Sequence, residues 1–176
     1  MNETSFRNRL KEIIGMIRRY GNRMLDGLTA EELIWRPEGT RGRTIQSYFR
    51  HMINAEIYWL RSLEDNSFDY MPKSASFNDL FEIFTQLESH LIDSVENAPE
   101  EQLVLRIPIF DGEKIIMKGT LAWMIMRTSL HAIHHFGQIS HIRYSFENPP
   151  LETKDDLSWG KIMDTISFLK PDILDY

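Results

Sequence analysis

Residues 129–139 read SLHAIHHFGQI and lie inside a longer segment, residues 120–146, whose apolar side chains recur at helical spacing. Those side chains are Leu121, Met124, Ile125, Ala132, Ile139, Ile142 and Phe146. The spacing predicts one long amphipathic helix, with Thr120 as its N-cap. His131 and His135 fall within the apolar stripe and are four residues apart, so their rings lie one turn apart on the same side. Two imidazoles placed in this way can bind one metal ion.

A histidine pair alone is a weak signal, because buried histidines are usually hydrogen-bonded core residues. A third histidine strengthens it. We expect a second helix from about Thr44 to Asp65, with His51 on the flank of its buried side. That side is marked by Ile45, Tyr48, Met52, Trp59 and Leu63. In a helical bundle, His51 could converge with His131 and His135. Three neutral imidazoles satisfy the protein side of a zinc or nickel site and leave positions for water or substrate.

The rest of the chain supports an all-α fold. A first helix is predicted from about Phe6 to near Gly27, then a short helical turn opened by the capping box of Thr29 and Glu32. Ser76 opens a third long helix, with Asp79 as its capping acid. Two β-branched runs around Asp111 and Gly112 predict a hairpin or extended loop before the long histidine helix. A last helix is expected over residues 158–169. We therefore predict a single domain, residues 1–176, built as an up-and-down four-helix bundle with an additional C-terminal helix.

The composition of the chain limits the classes of function and partner that are possible. The chain has 176 residues, 42% of them apolar, which is enough to bury a substantial core. It has no cysteine, so a bound metal must rest on histidines and carboxylates, and thiol chemistry would need a thiol cosubstrate. A net charge of -6 without a basic stretch argues against nucleic acid as a partner. No apolar run is long enough to span a bilayer and no signal peptide is recognisable, so we expect a cytoplasmic protein.

Several polar side chains are candidates for a pocket around the three histidines. Tyr48, Tyr58 and Thr128 could offer hydroxyls to a substrate, although each is also explained as a core residue with a satisfied oxygen. Gln138 lies one turn beyond His135 and could support that ring or make an ordinary polar contact. Gly137 is expected to permit close approach of another helix.

The other charged and imidazole side chains have plainer interpretations. His134 is turned about 100° from His135 on the helix, so it should not share the ion. His134 and His141 are interpreted as an exposed or interface stripe, with a second metal as the alternative, and His90 as a surface residue. Four arginines could attract an anionic substrate or could simply lie on a solvated loop. They are Arg36, Arg41, Arg43 and Arg50.

With His51 in one helix and the pair His131 and His135 before Phe136-Gly137-Gln138-Ile139, the sequence resembles the DinB-like, or YfiT-like, metalloenzyme family. The resemblance also includes Trp35-x-Pro37 and covers nearly the whole chain. It implies a four-helix bundle, a divalent metal (nickel or zinc) on the three histidines, and homodimerisation. In some relatives it implies S-transfer by thiols such as bacillithiol or mycothiol, and in others metal-dependent hydrolysis. Phe136 stands where family members often carry Arg, so this sequence departs from the family pattern at that position.

Missing motifs help to choose among these activities. There is no Glu-x-x-His motif, which disfavours a di-iron carboxylate bundle, and the histidine pair lacks the Glu of His-Glu-x-x-His proteases. We therefore expect thiol-dependent S-transfer to a small electrophile. A metal-dependent hydrolase of a small molecule is the alternative, and a non-catalytic stress protein that binds metal or ligand is a third possibility.

Overall fold

A computed structural model describes residues 3–36, 42–63, 65–104, 107–111 and 114–150. Over these residues the chain forms six helices and a two-stranded antiparallel hairpin. They are, in chain order, α1 (Glu3–Leu25), α2 (Ala30–Ile34), α3 (Ile45–Arg61), α4 (Phe77–Asn97), α5 (Glu100–Val104), β1 (Ile107–Asp111), β2 (Lys114–Gly119) and α6 (Leu121–Ser145). The predicted helical bundle with a hairpin before its last long helix is confirmed. The short α5 was not predicted, and α3 ends four residues earlier than expected.

The helices begin where the sequence places capping residues. The side chains of Thr44 and Thr120 accept hydrogen bonds from the backbone N–H of Ser47 and Trp123, at 3.1 and 2.9 Å. Ser76 and Asp79 form the predicted capping box at the start of α4. Each cap satisfies a backbone donor that the first turn of a helix leaves free. The start of every long helix of the site is therefore fixed by local chemistry.

Each of the four long helices packs against two others: α1 and α3 both pack against α4 and α6. Contacts along the helices give their directions. Arg143, at the end of α6, donates to the carbonyl of Met24 at the end of α1, at 3.0 Å, so these two helices run in parallel. Arg18 lies 4.1 Å over Phe84 while Arg7 donates to the carbonyl of Val95, so α1 and α4 run in opposite directions.

The segment after α3 reverses the chain and makes α3 and α4 parallel. It runs back along α3, where Arg61 donates to the carbonyl of Phe68 at 3.3 Å. Further along, the side chain of Asn54 accepts from the N–H of Met71 at 2.7 Å and donates to its carbonyl at 3.1 Å. The order of helix directions is therefore up, down, down, up, which differs from the simple alternation expected of short connections.

The buried face of α3 is not the one that the sequence analysis marked. Ile45 and Met52 are buried as expected, but Tyr48, Trp59 and Leu63 are only partly buried. The core positions of α3 are instead Phe49, Ile53, Ile57 and Leu60, together with Glu56. The helix is apolar on more than one side, so its periodicity did not identify which side would face the other helices.

Phe136 occupies the centre of the bundle. Its ring is fully buried and packs edge-on against Tyr20, with ring centroids 5.9 Å apart, and against Phe84, at 6.3 Å. α1 approaches it closely because Gly21 has no side chain: a Cβ there would lie 2.5 Å from Phe136 Cζ. The predicted close approach at Gly137 is wrong, since that residue is exposed and a Cβ on it would meet nothing within 4 Å.

One ion pair crosses the core. Arg18 of α1 donates a short hydrogen bond to Glu56 of α3, and their side chains are 5% and 11% exposed. Burial raises the pKa of Glu56, and the Arg18 guanidinium beside it opposes that rise. The sequence analysis did not identify this pair. Because both charges are removed from water, each depends on the other for its stability in the core.

No helix in the described part of the chain is long and apolar enough to cross a membrane. The additional C-terminal helix predicted over residues 158–169 lies outside the described residues.

Candidate metal centre

The three predicted histidines meet where α3 packs against α6. These helices run in opposite directions: Tyr48 contacts His135, with ring centroids 5.3 Å apart, and Trp59 contacts Trp123, at 5.4 Å. This pairing brings His51 opposite the turn that carries the histidine pair. Its ring centroid lies 5.0 Å from that of His131 and 4.9 Å from that of His135.

Their nitrogen atoms are spaced as ligands of one ion would be. One ring nitrogen from each of His51, His131 and His135 lies within 4.8 Å of the other two. The Nε2 atoms of His131 and His135 are 3.0 Å apart. Tetrahedral zinc with Zn–N bonds of 2.0–2.1 Å places its nitrogens about 3.3 Å apart. The pair therefore already has nearly the right separation, and a small movement of His51 would complete a three-histidine set that could hold a divalent ion.

Gln138 sets the orientation of the His135 ring. Its Oε1 atom accepts a hydrogen bond from the Nδ1–H of His135, with a separation of 2.6 Å. A neutral imidazole carries one N–H, so the proton on Nδ1 leaves Nε2 with a free lone pair directed at His131 and His51. The amide thus performs the supporting role that metal-bound histidines usually obtain from a carbonyl or carboxylate.

The site also favours unprotonated imidazoles. Burial, together with the neighbouring rings of His135 and His51, lowers the pKa of His131 to about 4. Burial likewise lowers the pKa of His51 and of His135, and the positive charge of Arg43 acts in the same direction on both. Only a neutral imidazole has a lone pair for a metal, so near neutral pH all three rings are in the form that binds one.

The three hydroxyl side chains predicted to line a pocket differ in their contacts with the histidine cluster. Tyr48 does contact the site through the ring of His135. Tyr58 packs instead against Trp59, with centroids 5.3 Å apart, and the described contacts do not join it to the histidines. Thr128 lines a groove beside His131, but its hydroxyl donates within its own helix, with the carbonyls of Met124 and Ile125 each 3.0 Å away, so it is largely satisfied there.

The remaining histidines stay outside the cluster. His134 and His141 are exposed on α6, as the helical wheel predicted, and neither belongs to the ligand group. The surface interpretation of His90 is wrong: it is partly buried, its Nε2 lies 2.5 Å from Asp65 Oδ2, and it packs on Phe68.

Of the four arginines, Arg43 acts on the site through its charge, while Arg50 donates to the carbonyl of Lys73 at 3.2 Å. Arg41 lies outside the described residues.

The sequence analysis missed a groove that opens beside His131. Trp123 and Arg127 line it, eight and four residues before His131 on the same helix. That spacing places the three side chains along one side of α6, so the helical period that identified the histidine pair, if extended towards the N-terminus of α6, would also have identified its neighbours.

A bundle of four long helices with three convergent histidines, one of them oriented by an amide, defines the class of helical proteins with a potential metal centre between two helices. Residues 17–139 match the family model of the DinB superfamily. The match spans most of the chain and includes all three histidines, so the chain belongs to the DinB superfamily. No curated protein matches it.

Proposed function

We propose that this DinB superfamily member is a metal-dependent enzyme in which His51, His131 and His135 bind a divalent ion, nickel or zinc. Its reaction would be the transfer of a low-molecular-weight thiol to a small electrophile. The observation that carries the proposal is the convergence of three ring nitrogens within 4.8 Å of one another, beside an open groove. When bound, such an ion supplies a fixed positive charge that favours the deprotonated form of a bound thiol or water.

The chain's own residues prepare the site for this chemistry. Gln138 holds the proton of His135 on Nδ1, so that Nε2 faces the centre of the cluster. The positive charge of Arg43 acts on His51 and His135 and would favour an anionic thiolate at the same place. Tyr48 packs its ring on His135 and limits the rotation of that imidazole.

Thiol transfer is preferred to hydrolysis because the cluster offers no carboxylate to act as a general base. Among the described residues, the metal-ligand group consists of histidines alone. Glu56, which is buried on α3, is bonded to Arg18 and is therefore occupied. A thiol has a pKa of about 8.5 and gives its proton to solvent far more readily than water, whose pKa is about 15.7, so a thiol depends less on a base supplied by the protein.

The first test measures metal content. We expect the purified protein to contain a single nickel or zinc ion per chain by elemental analysis. His51→Ala, His131→Ala and His135→Ala should each lose it, because two imidazoles hold an ion far less tightly than three. His141→Ala, an exposed histidine of the same helix, is the matched control and should retain the metal. An unchanged metal content in His51→Ala would remove that residue from the site.

The second test distinguishes the reactions. The metal-loaded protein is assayed with monochlorobimane and a panel of thiols that includes bacillithiol, mycothiol and glutathione. Conjugation that is lost in His131→Ala with unchanged circular dichroism supports thiol transfer. Ester hydrolysis without thiol would establish the alternative hydrolase. Full metal loading with no turnover in either panel would establish a non-catalytic metal-binding or ligand-binding protein.

Homodimerisation and a cytoplasmic location, with a small molecule rather than nucleic acid or membrane as the partner, complete the proposal. The resemblance to metalloenzyme relatives supports the dimer. Sedimentation equilibrium of the metal-loaded protein tests it, and a monomer at micromolar concentration would contradict it.

A further inference from the structure

A groove of about 530 Å³ lies where α3 meets α6, with His131 in its lining. Its volume lies within the range of small-molecule sites in proteins, roughly 300–1,000 Å³. The lining therefore combines a proposed metal ligand with side chains that the proposed function has not used. The groove is therefore suited to a molecule that reaches the histidines from outside the bundle.

The wall of the groove is aromatic and apolar. Trp59 of α3 and Trp123 of α6 meet edge to face, with ring centroids 5.4 Å apart and planes at 86°. Met126 and Leu130 continue this surface, and Leu130 is 50% exposed. Trp59, Trp123 and Met126 are only partly buried, so the wall offers apolar surface that a ligand could cover.

One cation lies on this wall. The guanidinium carbon of Arg127 is 4.9 Å from the ring centroid of Trp59 and 5.5 Å from that of Trp123. Stacking on the rings fixes its position, and no carboxylate pairs with it in the described part of the chain. An Arg held on aromatic rings without an acidic partner keeps its hydrogen-bond donors available for a ligand anion.

We propose that this groove binds an organic anion with an aromatic body: the body packs on Trp59 and Trp123, the acidic group pairs with Arg127, and the remainder extends to His131. Binding itself follows from the groove alone. The role of this molecule as the electrophile of the thiol transfer rests on the proposed function.

The test uses 2-naphthoate and its neutral analogue 2-naphthamide in titration calorimetry. The protein should bind the naphthoate more tightly. Arg127→Gln should weaken naphthoate binding about tenfold, the effect of losing one charge-assisted hydrogen bond, and leave the amide unchanged. Trp123→Leu should weaken both ligands. Arg9→Gln, an arginine of α1 outside the groove, is the matched control and should change neither.

Two outcomes overturn the proposal: naphthoate binding that is insensitive to Arg127→Gln, and equal losses for both ligands in that variant. Repeating the titration on His51→Ala separates it from the proposed function, because His51 does not line the groove. If the purified protein holds no metal but naphthoate binding still depends on Arg127, the proposal of an anion site in the groove is supported and the proposal of a metal-dependent enzyme is contradicted. If naphthoate binds only to metal-loaded protein and independently of Arg127, the carboxylate binds the ion and the groove proposal fails.

Discussion

At the scale of single residues, the candidate centre contains one supporting amide beside its three imidazoles. Gln138 lies three residues after His135, and its carbonyl oxygen is 2.6 Å from Nδ1 of that ring. Without this acceptor the His135 proton could move to Nε2, where it would block the lone pair that faces the other two rings. Through the tautomer of His135, Gln138 would therefore affect the affinity for an ion that it does not itself bind.

Gln138→Leu should lower the affinity for zinc about 10–100-fold, which is the usual effect of removing a partner of a ligating histidine. The measurement is competition with a chromophoric chelator at neutral pH. Gln86→Leu, an exposed glutamine of α4, is the matched control and should leave the affinity unchanged. Equal affinities for the protein and Gln138→Leu would show that the hydrogen bond has no role in metal binding.

The sequence was enough to predict that the rings of His131 and His135 lie together, because their spacing follows directly from the helical period. It did not predict the partner of His90, because Asp65 lies 25 residues away and meets it only through the course of the segment after α3. It also left Gln138 with two equal interpretations. Spacing places an amide near a ring, but the rotamer that joins them depends on packing.

At the scale of elements, α2 is tied to the end of α6 through Glu32. Its carboxylate accepts from the N–H of Thr29 at 2.7 Å and from the side chain of Asn148 at 3.1 Å. Burial alone would raise the pKa of Glu32, but these hydrogen bonds and the charge of Arg143 lower it below its usual value of 4.5. The ionised form is therefore favoured by folding.

Glu32→Gln should destabilise the protein at neutral pH, and the difference should shrink in acid. Because the pKa is lower in the folded chain, the contribution is complete above pH 4.5 and is lost as the pH falls through the folded-state value. Urea unfolding between pH 7 and pH 3 measures it. Glu31→Gln, an exposed neighbour in α2, is the matched control and should change the free energy of unfolding at pH 7 less than Glu32→Gln does. A difference that is constant with pH would contradict the assignment.

The packing of α1 against α6 makes a second prediction at this scale. Gly21→Ala forces a Cβ to within 2.5 Å of Phe136 Cζ, which should cost about 1–3 kcal/mol in overpacking, offset in part by about 1 kcal/mol of helix propensity. Gly15→Ala meets only the end of Arg19 at 3.4 Å and should stabilise α1 by roughly 0.5–1 kcal/mol. Thermal unfolding should separate the two variants by about 2 kcal/mol. Equal stabilities would show that the Phe136 ring moves aside without cost.

Capping residues and apolar periodicity were enough to predict the four long helices, and β-branched runs around a turn signal were enough to predict the hairpin, since all of these are local features. The α3 core face and the Gly21 contact were not predicted, because they depend on which helices become neighbours. Gly137 follows Phe136 directly in sequence, whereas Gly21 contacts the Phe136 ring only in the folded protein. Only the three-dimensional arrangement distinguishes them.

At the scale of the whole molecule, the order of helix directions determines which side chains can meet. α3 lies antiparallel to α6 because the chain returns along α3 through the contacts of Asn54 with Met71 before α4 begins. No sequence period encodes this return. The bundle was therefore predictable as a class of fold, but the parallel pairing of α3 with α4 was not.

The buried pair of Arg18 and Glu56 joins α1 to α3 across this arrangement. Glu56→Leu or Arg18→Met alone should each cost about 3–5 kcal/mol, because the remaining charge is left unpaired in the core. The double variant should cost clearly less than the sum, giving a coupling energy of about 2 kcal/mol or more in urea unfolding. Additive losses would show that water or another side chain already compensates each charge.

Phe136 and His135 are consecutive residues of α6 that face different neighbours: one ring is wedged against α1 and the other is aimed at α3. If α6 rotated about its axis to relieve crowding of Phe136 against α1, the ring of His135 would no longer be aligned with His51 on α3. If His135 binds an ion as proposed, a substitution at Tyr20 or Gly21 that shifts the Phe136 ring would weaken ion binding as well as the stability of the bundle.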